Sequence, residues 1–442
     1  MKALTIAIAG AAILLLGHGP ASATDLEPQH VSKDFPTFRA DSSWPKQLPN
    51  KWRIGQVGGI AVDRHDNIWI VQRPRSLNSS EAGALGNTDP ETGEMLLDDE
   101  GNPISVLGHA RPFGPIADCC LPAPSVMQFD TEGNLLQAWG GPADPGFIGG
   151  RCKEEDGCVW HAGEHGIFVD HNDNVYLAGN GTGTGATPWA ATHGPDSHVL
   201  KFSKDGTFLL NIGDAGVEGP DSNDTAGASN GTPQLFRPAD SEVDPQTNEL
   251  YIADGYGNRR IVVVDADTGL YKRHWGAYGQ VPVVDPDPPL GPYAEDRDAG
   301  IDPPHFRTPV HCVRITHDRK VYVCDRVNNR IQVFETNGTF ITEKFIRRET
   351  LGNGSVWDLD TSPDRQQSCL YNVDGTSQYA DVIRRHDLKL LNTFGQGGRN
   401  AGLFHWVHNV AVDSRGNLYT AEVDTGTRPQ KFVPTSSRNN CQ

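Results

Sequence analysis

Long apolar segments are scarce in this sequence. After Leu16, no stretch approaches the roughly 20 apolar residues that a membrane-spanning helix needs, so we expect no membrane anchor. The one apolar run, Leu4 to Leu16, follows Lys2 and precedes small residues at 21–23, a pattern typical of an export signal. We therefore predict a signal peptide over residues 1–23 and an exported protein, either periplasmic or secreted.

Positive charge is also in short supply. The 442 residues include 38 Lys and Arg against 56 Asp and Glu, for a formal net charge of -18. Such a chain is repelled by a phosphate backbone, so we expect no nucleic-acid partner. We expect instead a monomer that acts on a small-molecule or peptide-derived substrate.

Cysteine spacing of the zinc-finger kind is absent, although the chain has eight cysteines. In an exported protein these residues are expected to form disulfide bonds. Cys152 and Cys158 bracket a short acidic loop, and Cys312 and Cys324 lie on the two arms of a predicted hairpin. We predict these two bonds, whereas the vicinal cysteines at 119–120 could equally be joined to distant partners.

A recurring pair of hairpins predicts the fold. Residues 60–69, 167–176 and 410–419 read as an apolar strand ending in Asp, a polar Asn/Gly turn and an aromatic-rich strand. A second hairpin follows in each repeat, as at 260–275 and 330–345. Four short antiparallel strands per repeat are typical of a propeller blade. The six blades begin near Gly58, His165, Ala239, His311, Ser355 and His408.

We therefore predict an all-β fold, a single six-bladed β-propeller over residues 24–442. Segments 254–261 and 325–334 resemble the NHL-repeat signature. The last blade lacks a strand after Val433, so a strand before Trp52 is expected to complete it and close the ring. Long loop insertions are predicted at 75–125, 179–195, 216–232 and 277–304.

Histidine recurs at one point of this repeat. When the blades are aligned on the residue that ends each first strand, the residue five positions earlier is histidine in blades two, four and six and small in the others. Alternate blades lie about 120° apart around the axis, so His165, His311 and His408 should converge in the central channel. Small residues between them would leave room for ligand and substrate.

A lone histidine is more often a core or turn residue, but three at one repeat position favour a metal site. Three nitrogen ligands with an open fourth position are typical of catalytic zinc, although copper or iron also bind imidazole.

The motifs around these histidines are Glu164-His165-Gly166-Ile167, Pro309-Val310-His311-Cys312 and Val407-His408-Asn409-Val410. With them the sequence resembles the peptidylglycine α-amidating lyase family, whose members are six-bladed propellers with a zinc ion on three histidines. The resemblance spans nearly all of residues 24–442. It implies that Arg73, Tyr256 and Arg326 complete the catalytic site.

The implied reaction splits a carbinolamide into a primary amide and glyoxylate. Zinc would polarise the substrate hydroxyl, and Tyr256 could take its proton. Arg73 or Arg326 could hold the carboxylate in a bidentate fork, although Arg75 is a second candidate for that contact.

The resemblance also implies a possible calcium ion, held by the backbone carbonyls of Ile60 and Ile167 and by Asn409, where the family has aspartate. The family's two disulfides have no counterpart, because Gly257 and Val333 stand where cysteines would. We expect no copper monooxygenase segment beside these repeats, so the hydroxylated precursor would have to come from elsewhere. The substrate could therefore be another carbinolamide, or an amide or ester that zinc-bound water attacks.

Two other functions remain open. A metal-dependent hydrolase or lactonase on a propeller would rely on Asp, Glu and Asn around calcium. A non-catalytic NHL propeller would present its loops to a protein or glycan, with no tightly held metal. Metal content and turnover discriminate among the three.

Overall fold

The structure is a computed structural model that describes residues 35–78, 80–86, 95, 97, 101, 115–143, 147–183, 194–219, 223, 227–282, 302–436 and 441. The predicted signal peptide over 1–23 lies outside the described residues, as do parts of all four predicted loop insertions. No helix among the described residues is long and apolar enough to span a membrane.

Strands are almost the only regular secondary structure of the described chain. Its strands are β1 (Phe38–Asp41), β2 (Trp52–Arg53), β3 (Gln56–Val62), β4 (Ile68–Arg73), β5 (Leu121–Pro122), β6 (Val126–Phe129), β7 (Leu135–Trp139), β8 (Glu164–Val169), β9 (Val175–Gly179), β10 (His198–Phe202), β11 (Phe208–Gly213), β12 (Asp240–Asp244), β13 (Glu249–Asp254), β14 (Arg260–Asp265), β15 (Tyr271–Trp275), β16 (Val310–Ile315), β17 (Lys320–Asp325), β18 (Arg330–Glu335), β19 (Phe340–Phe345), β20 (Asp358–Thr361), β21 (Cys369–Asp374), β22 (Tyr379–Arg384), β23 (Lys389–Phe394), β24 (Val407–Val412), β25 (Leu418–Glu422) and β26 (Arg428–Pro434). Three single turns of 3-10 helix occur at Pro74–Ser76, Glu154–Asp156 and Ala277–Gly279.

Six four-stranded sheets form the blades. Their orders from the axis outward are β3-β4-β6-β7, β8-β9-β10-β11, β12-β13-β14-β15, β16-β17-β18-β19, β20-β21-β22-β23 and β24-β25-β26-β1. The innermost strands β3, β8, β12, β16, β20 and β24 contact one another in that cyclic order, and β24 contacts β3. The predicted six-bladed propeller is therefore confirmed.

Both ends of the described chain build the sixth blade. Strand β1 pairs antiparallel with β26, with Phe38 opposite Pro434 and Asp41 opposite Lys431. The Phe38 ring packs against Tyr371, with ring centroids 5.7 Å apart. Without β1, β26 would be an unpaired sheet edge. The predicted closing strand before Trp52 is confirmed.

The aspartate that ends the first strand of blades one, two and six explains the repeated motif. The Asp63 carboxylate accepts the backbone N–H groups of His65 and Asn67, both at 2.9 Å, and the indole N–H of Trp69 at 2.9 Å. Asp170 and Asp413 make the equivalent backbone contacts. One buried carboxylate thus accepts hydrogen bonds from the backbone N–H groups of the hairpin turn and from the aromatic residue of the next strand.

The apolar core lies between neighbouring blades. Trp69 and Trp139 of the first blade pack against Leu177 and Phe202 of the second, and all four are almost fully buried. Because the strands are covered on both faces, apolar and aromatic residues fill the space between adjacent sheets.

Four disulfide bonds cross-link the described part of the chain. The predicted Cys152–Cys158 and Cys312–Cys324 bonds are confirmed. The vicinal cysteines at 119–120 are joined to each other, so the alternative of distant partners is wrong. A fourth bond, which spacing did not predict, joins Cys369 of β21 to Cys441.

The lengths of the loops that these bonds close predict their different contributions to stability. Cys369 and Cys441 are 72 positions apart, whereas Cys152 and Cys158 are 6 apart, and all four side chains are buried. Replacing Cys369 and Cys441 by alanine should lower the free energy of unfolding by about 2 kcal/mol more than the same change at Cys152 and Cys158, because loop-closure entropy grows with loop length. Urea unfolding of both double variants measures this. Equal losses would contradict the explanation.

Candidate metal centre

The structure brings the three histidines of the repeat together on the propeller axis. His165 lies in β8, His311 in β16 and His408 in β24, the inner strands of blades two, four and six. Their ring centroids are 4.9, 4.6 and 4.8 Å apart, and the rings stand at 71–79° to one another. One ring nitrogen from each histidine lies within 4.8 Å of those of the other two. The geometry is a nearly equilateral triangle of imidazoles.

The Nδ1 atoms of the histidines face acceptor oxygens. His165 Nδ1 lies 2.7 Å from the Ala239 carbonyl, and His311 Nδ1 lies 2.5 Å from the Trp357 carbonyl. A carbonyl oxygen only accepts, so Nδ1 carries the proton in both rings. Nε2 is therefore the unprotonated nitrogen, which is the arrangement that a metal-binding imidazole requires.

His408 is oriented in the same way by its neighbour in the chain. Its Nδ1 contacts the Asn409 side-chain oxygen, while the Asn409 Nδ2 donates to Asp358 at 3.1 Å. The carboxylate fixes the amide orientation, because the reverse placement would set two acceptors against each other.

Burial keeps all three rings neutral. It is the main cause that lowers the pKa of His165 and His311 well below the usual value, and it lowers the pKa of His408 to about 3. The nearby guanidinium group of Arg326 lowers the pKa of all three histidines, and that of Arg73 lowers the pKa of His165 and His408. Three neutral nitrogen donors, each with its second nitrogen hydrogen-bonded, fit a zinc ion with one open position.

Glycines let the inner strands approach closely enough for these contacts. A Cβ on Gly58 would lie 2.6 Å from the Glu164 carbonyl oxygen, and one on Gly166 would lie 2.5 Å from the Ala239 carbonyl oxygen. At both positions the small residue allows neighbouring strands to pack. The sequence led us to expect a small residue at position 58 in order to leave room for substrate. Close packing against the neighbouring strand is instead what restricts this position to glycine.

Tyr256 lies directly beside the imidazoles. It follows β13 by two residues, and its hydroxyl oxygen is 3.0 Å from His165 Nε2 and 3.2 Å from His311 Nε2. An Arg326 N–H donates to the same oxygen at 3.0 Å. Because both Nε2 atoms are acceptors, the single Tyr256 hydroxyl proton is shared between them, and the hydroxyl oxygen accepts from Arg326.

Arg73 ends β4 and is held by oxygens that carry no formal charge. Its Nε donates to the Glu164 carbonyl at 2.7 Å, and its two terminal nitrogens contact the side-chain oxygens of Gln56 at 2.9 Å and Asn180 at 3.3 Å. Arg75, the alternative considered from sequence, donates instead to the His161 carbonyl at the side of blade two. Arg73 is therefore the arginine that reaches the site.

A cavity of about 360 Å³ opens above the histidines. Its lining consists of Gln56, Arg73, Asn180, Tyr256, Arg326, Asn353, Trp357, Trp406, His408, Val423 and Asp424. All three residues implied by the family resemblance line it, together with His408. Sequence reasoning missed the amides and the tryptophans.

Arg237 is a further residue that sequence reasoning missed. Its guanidinium lies 5.6 Å from the centre of the Tyr256 ring, and that of Arg326 lies 5.5 Å from the same ring. Arg326 also stacks over Trp357 at 4.4 Å. Within the described part of the chain, neither these two guanidinium groups nor that of Arg73 forms an ion pair. The site thus holds positive charge that an anion could neutralise.

The residues of the possible calcium site lie on adjacent inner strands. Ile60 is in β3, Ile167 in β8 and Asn409 in β24, and β3 contacts both of the other strands. The Asn409 oxygen already accepts from His408, so calcium would share that oxygen. Calcium binding stays a prediction.

Known proteins similar to this chain include amidating enzymes. Peptidyl-glycine alpha-amidating monooxygenase B of Xenopus laevis is 23% identical over 427 residues, which cover 93% of this chain and 37% of that protein. The Mus musculus peptidyl-glycine alpha-amidating monooxygenase is 24% identical over 397 residues, or 87% of this chain and 31% of that protein. The chain thus spans about a third of the length of these relatives.

NHL repeat-containing protein 3 of Mus musculus is 24% identical over 330 residues, covering 71% of this chain and 74% of that protein. No protein-family profile matches the chain. Among solved structures, a streptogramin B lyase aligns over 91% of this chain and 98% of its own chain, with 12% identity and a TM-score of 0.44. The similarity to peptidylglycine alpha-amidating enzymes, predicted from the histidine motifs, is confirmed over most of the chain.

Proposed function

We propose that the protein is a zinc-dependent lyase that cleaves a carbinolamide, such as an N-acyl-α-hydroxyglycine, into an amide and glyoxylate or a related aldehyde. The observation that carries the proposal is the triangle of neutral imidazoles with the Tyr256 hydroxyl against two of them. The similarity to amidating enzymes supports the same chemistry.

In the proposed reaction the O–H bond of the carbinolamide breaks, a C=O bond forms and the C–N bond breaks. The amide nitrogen takes a proton as it leaves, so atoms and charge balance. When bound by the three histidines, zinc would supply Lewis acidity that favours ionisation of the substrate hydroxyl. Tyr256 would accept that proton as a phenolate, whose charge the N–H donated by Arg326 to the same oxygen stabilises, and would pass the proton to the departing amide nitrogen.

The arginines suit a substrate with a carboxylate. Arg73, Arg237 and Arg326 lie around Tyr256 without carboxylate partners in the described residues. Arg73 is fixed by two side-chain amides, which a carboxylate can displace in exchange for a charge-assisted bond. Such a contact would orient the carbon that bears the hydroxyl towards Tyr256 and the histidines.

The alternatives fit the site less well. A calcium-dependent hydrolase or lactonase needs oxygen ligands, whereas this centre offers three nitrogen donors. A non-catalytic binding propeller does not account for three guanidinium groups without carboxylate partners in the described residues around one half-buried phenol. Calcium alone in the purified protein would favour the hydrolase, and the absence of both metal and turnover would favour the binding propeller.

Loss of one imidazole should remove the metal. We expect His311→Ala to lose the zinc, near one ion per chain, that the unaltered protein holds, and to stop glyoxylate release from an N-acyl-α-hydroxyglycine. His386→Ala is the control, because the His386 side chain is 72% exposed and lies away from the axis. Elemental analysis and a glyoxylate assay give the two readouts. If the unaltered protein holds zinc near one ion per chain but releases no glyoxylate, the metal centre stands and the proposed substrate is wrong.

Tyr256→Phe separates proton transfer from metal binding, because it removes only the hydroxyl. Zinc content should be unchanged, while kcat falls on the order of 100- to 10,000-fold, as for loss of a general base. KM should change little, since the arginines remain. Tyr271→Phe removes an exposed hydroxyl on the outer strand β15 and should leave kcat intact. An unaltered kcat in Tyr256→Phe would exclude the proposed role.

A further inference from the structure

One largely buried arginine near the histidine triangle joins three blades. Arg314 lies in β16, three residues after His311, and its side chain is only 13% exposed. One terminal nitrogen donates to Asp240 of β12, and the other donates to Asp358 of β20 at 2.7 Å. The two carboxylate side chains are at most 3% exposed.

Each of these carboxylates belongs to the residue after a carbonyl that orients a histidine. Ala239, whose carbonyl faces His165 Nδ1, immediately precedes Asp240. Trp357, whose carbonyl faces His311 Nδ1, immediately precedes Asp358. The guanidinium therefore holds the residue that follows each of these two carbonyls.

The third histidine is connected to the same arginine through side chains. Asp358 accepts from Asn409 Nδ2 at 3.1 Å and from the backbone N–H of Val410 at 3.0 Å. The Asn409 oxygen in turn contacts His408 Nδ1. A continuous series of hydrogen bonds thus runs from Arg314 through Asp358 and Asn409 to His408.

We propose that Arg314 is a positioning residue of the candidate metal centre: it touches none of the three histidines, yet through Asp240 and Asp358 it holds the segments that supply an acceptor to each of them. The role depends on the planar fork of the guanidinium, which binds two carboxylates on different blades at once. A lysine at this position keeps the charge but presents a single nitrogen. The inference rests on the proposed metal centre and is independent of the substrate.

Partners that orient metal ligands typically change metal affinity by about 10- to 100-fold when lost. We expect Arg314→Lys to fold and to bind zinc with an affinity lower by about that factor. The visible absorption bands of the cobalt(II)-substituted protein should also shift, because they report ligand geometry. Arg314→Met should weaken zinc binding at least as much, but it leaves two buried carboxylates without a cation and is expected to be less stable.

Arg319→Lys is the matched control. Arg319 also joins blade four to a buried carboxylate of blade three, with its Nε and a terminal nitrogen 3.0 and 2.8 Å from Asp244. No carbonyl that orients a histidine adjoins Asp244 in the chain. We expect this variant to match the unaltered protein in zinc affinity and cobalt spectrum.

The experiment titrates zinc against a chelator of known affinity and records the cobalt(II) spectrum for all four proteins, with urea unfolding as the measure of folding. An Arg314→Lys protein that is less stable but unchanged in zinc affinity and spectrum would reduce Arg314 to a structural residue and overturn the inference. If the unaltered protein binds neither zinc nor cobalt, the metal centre itself is wrong and the positioning role falls with it. Activity enters neither outcome, so failure of the proposed substrate is seen separately.

Discussion

Hydrogen bonds between neighbouring blades orient two imidazoles of the candidate metal centre. His165 of blade two faces a carbonyl of blade three, and His311 of blade four faces a carbonyl of blade five. The first of these bonds requires the inner strands of blades two and three to lie close together, which Gly166 permits. The ring therefore does more than bring three side chains near the axis, since it also determines which nitrogen of these two imidazoles is available.

The sequence predicted the positions of the histidines but not their surroundings. Repeat alignment revealed His165, His311 and His408 because a side chain recurring at one position leaves a pattern in the sequence. The carbonyls of Ala239 and Trp357 leave no such pattern, since any residue supplies a carbonyl. The ring, its closing strand and two disulfides were predicted correctly, whereas the Cys369–Cys441 bond was not, because spacing does not determine connectivity.

The second strands of the blades carry a sequence signal for residues that line the cavity. In blades three to six the second strand ends in an acidic residue paired with an arginine, at Asp254, Asp325, Asp374 and Glu422. Blade one has Arg73 at this point, and blade two has a glycine followed by Asn180. Both departures from the acidic pattern line the cavity. Comparison of the second strands would therefore have identified Asn180, whereas Arg237 lies on the loop before β12.

The sixth blade carries a consequence for assembly. It combines β1, the first described strand, with the last three, and it also carries His408. During synthesis β1 is made long before β24, β25 and β26, so the sixth blade and the three-histidine centre cannot form on a nascent chain that has only its first five blades. A metal ion would therefore bind at this centre only in molecules whose ring has already closed.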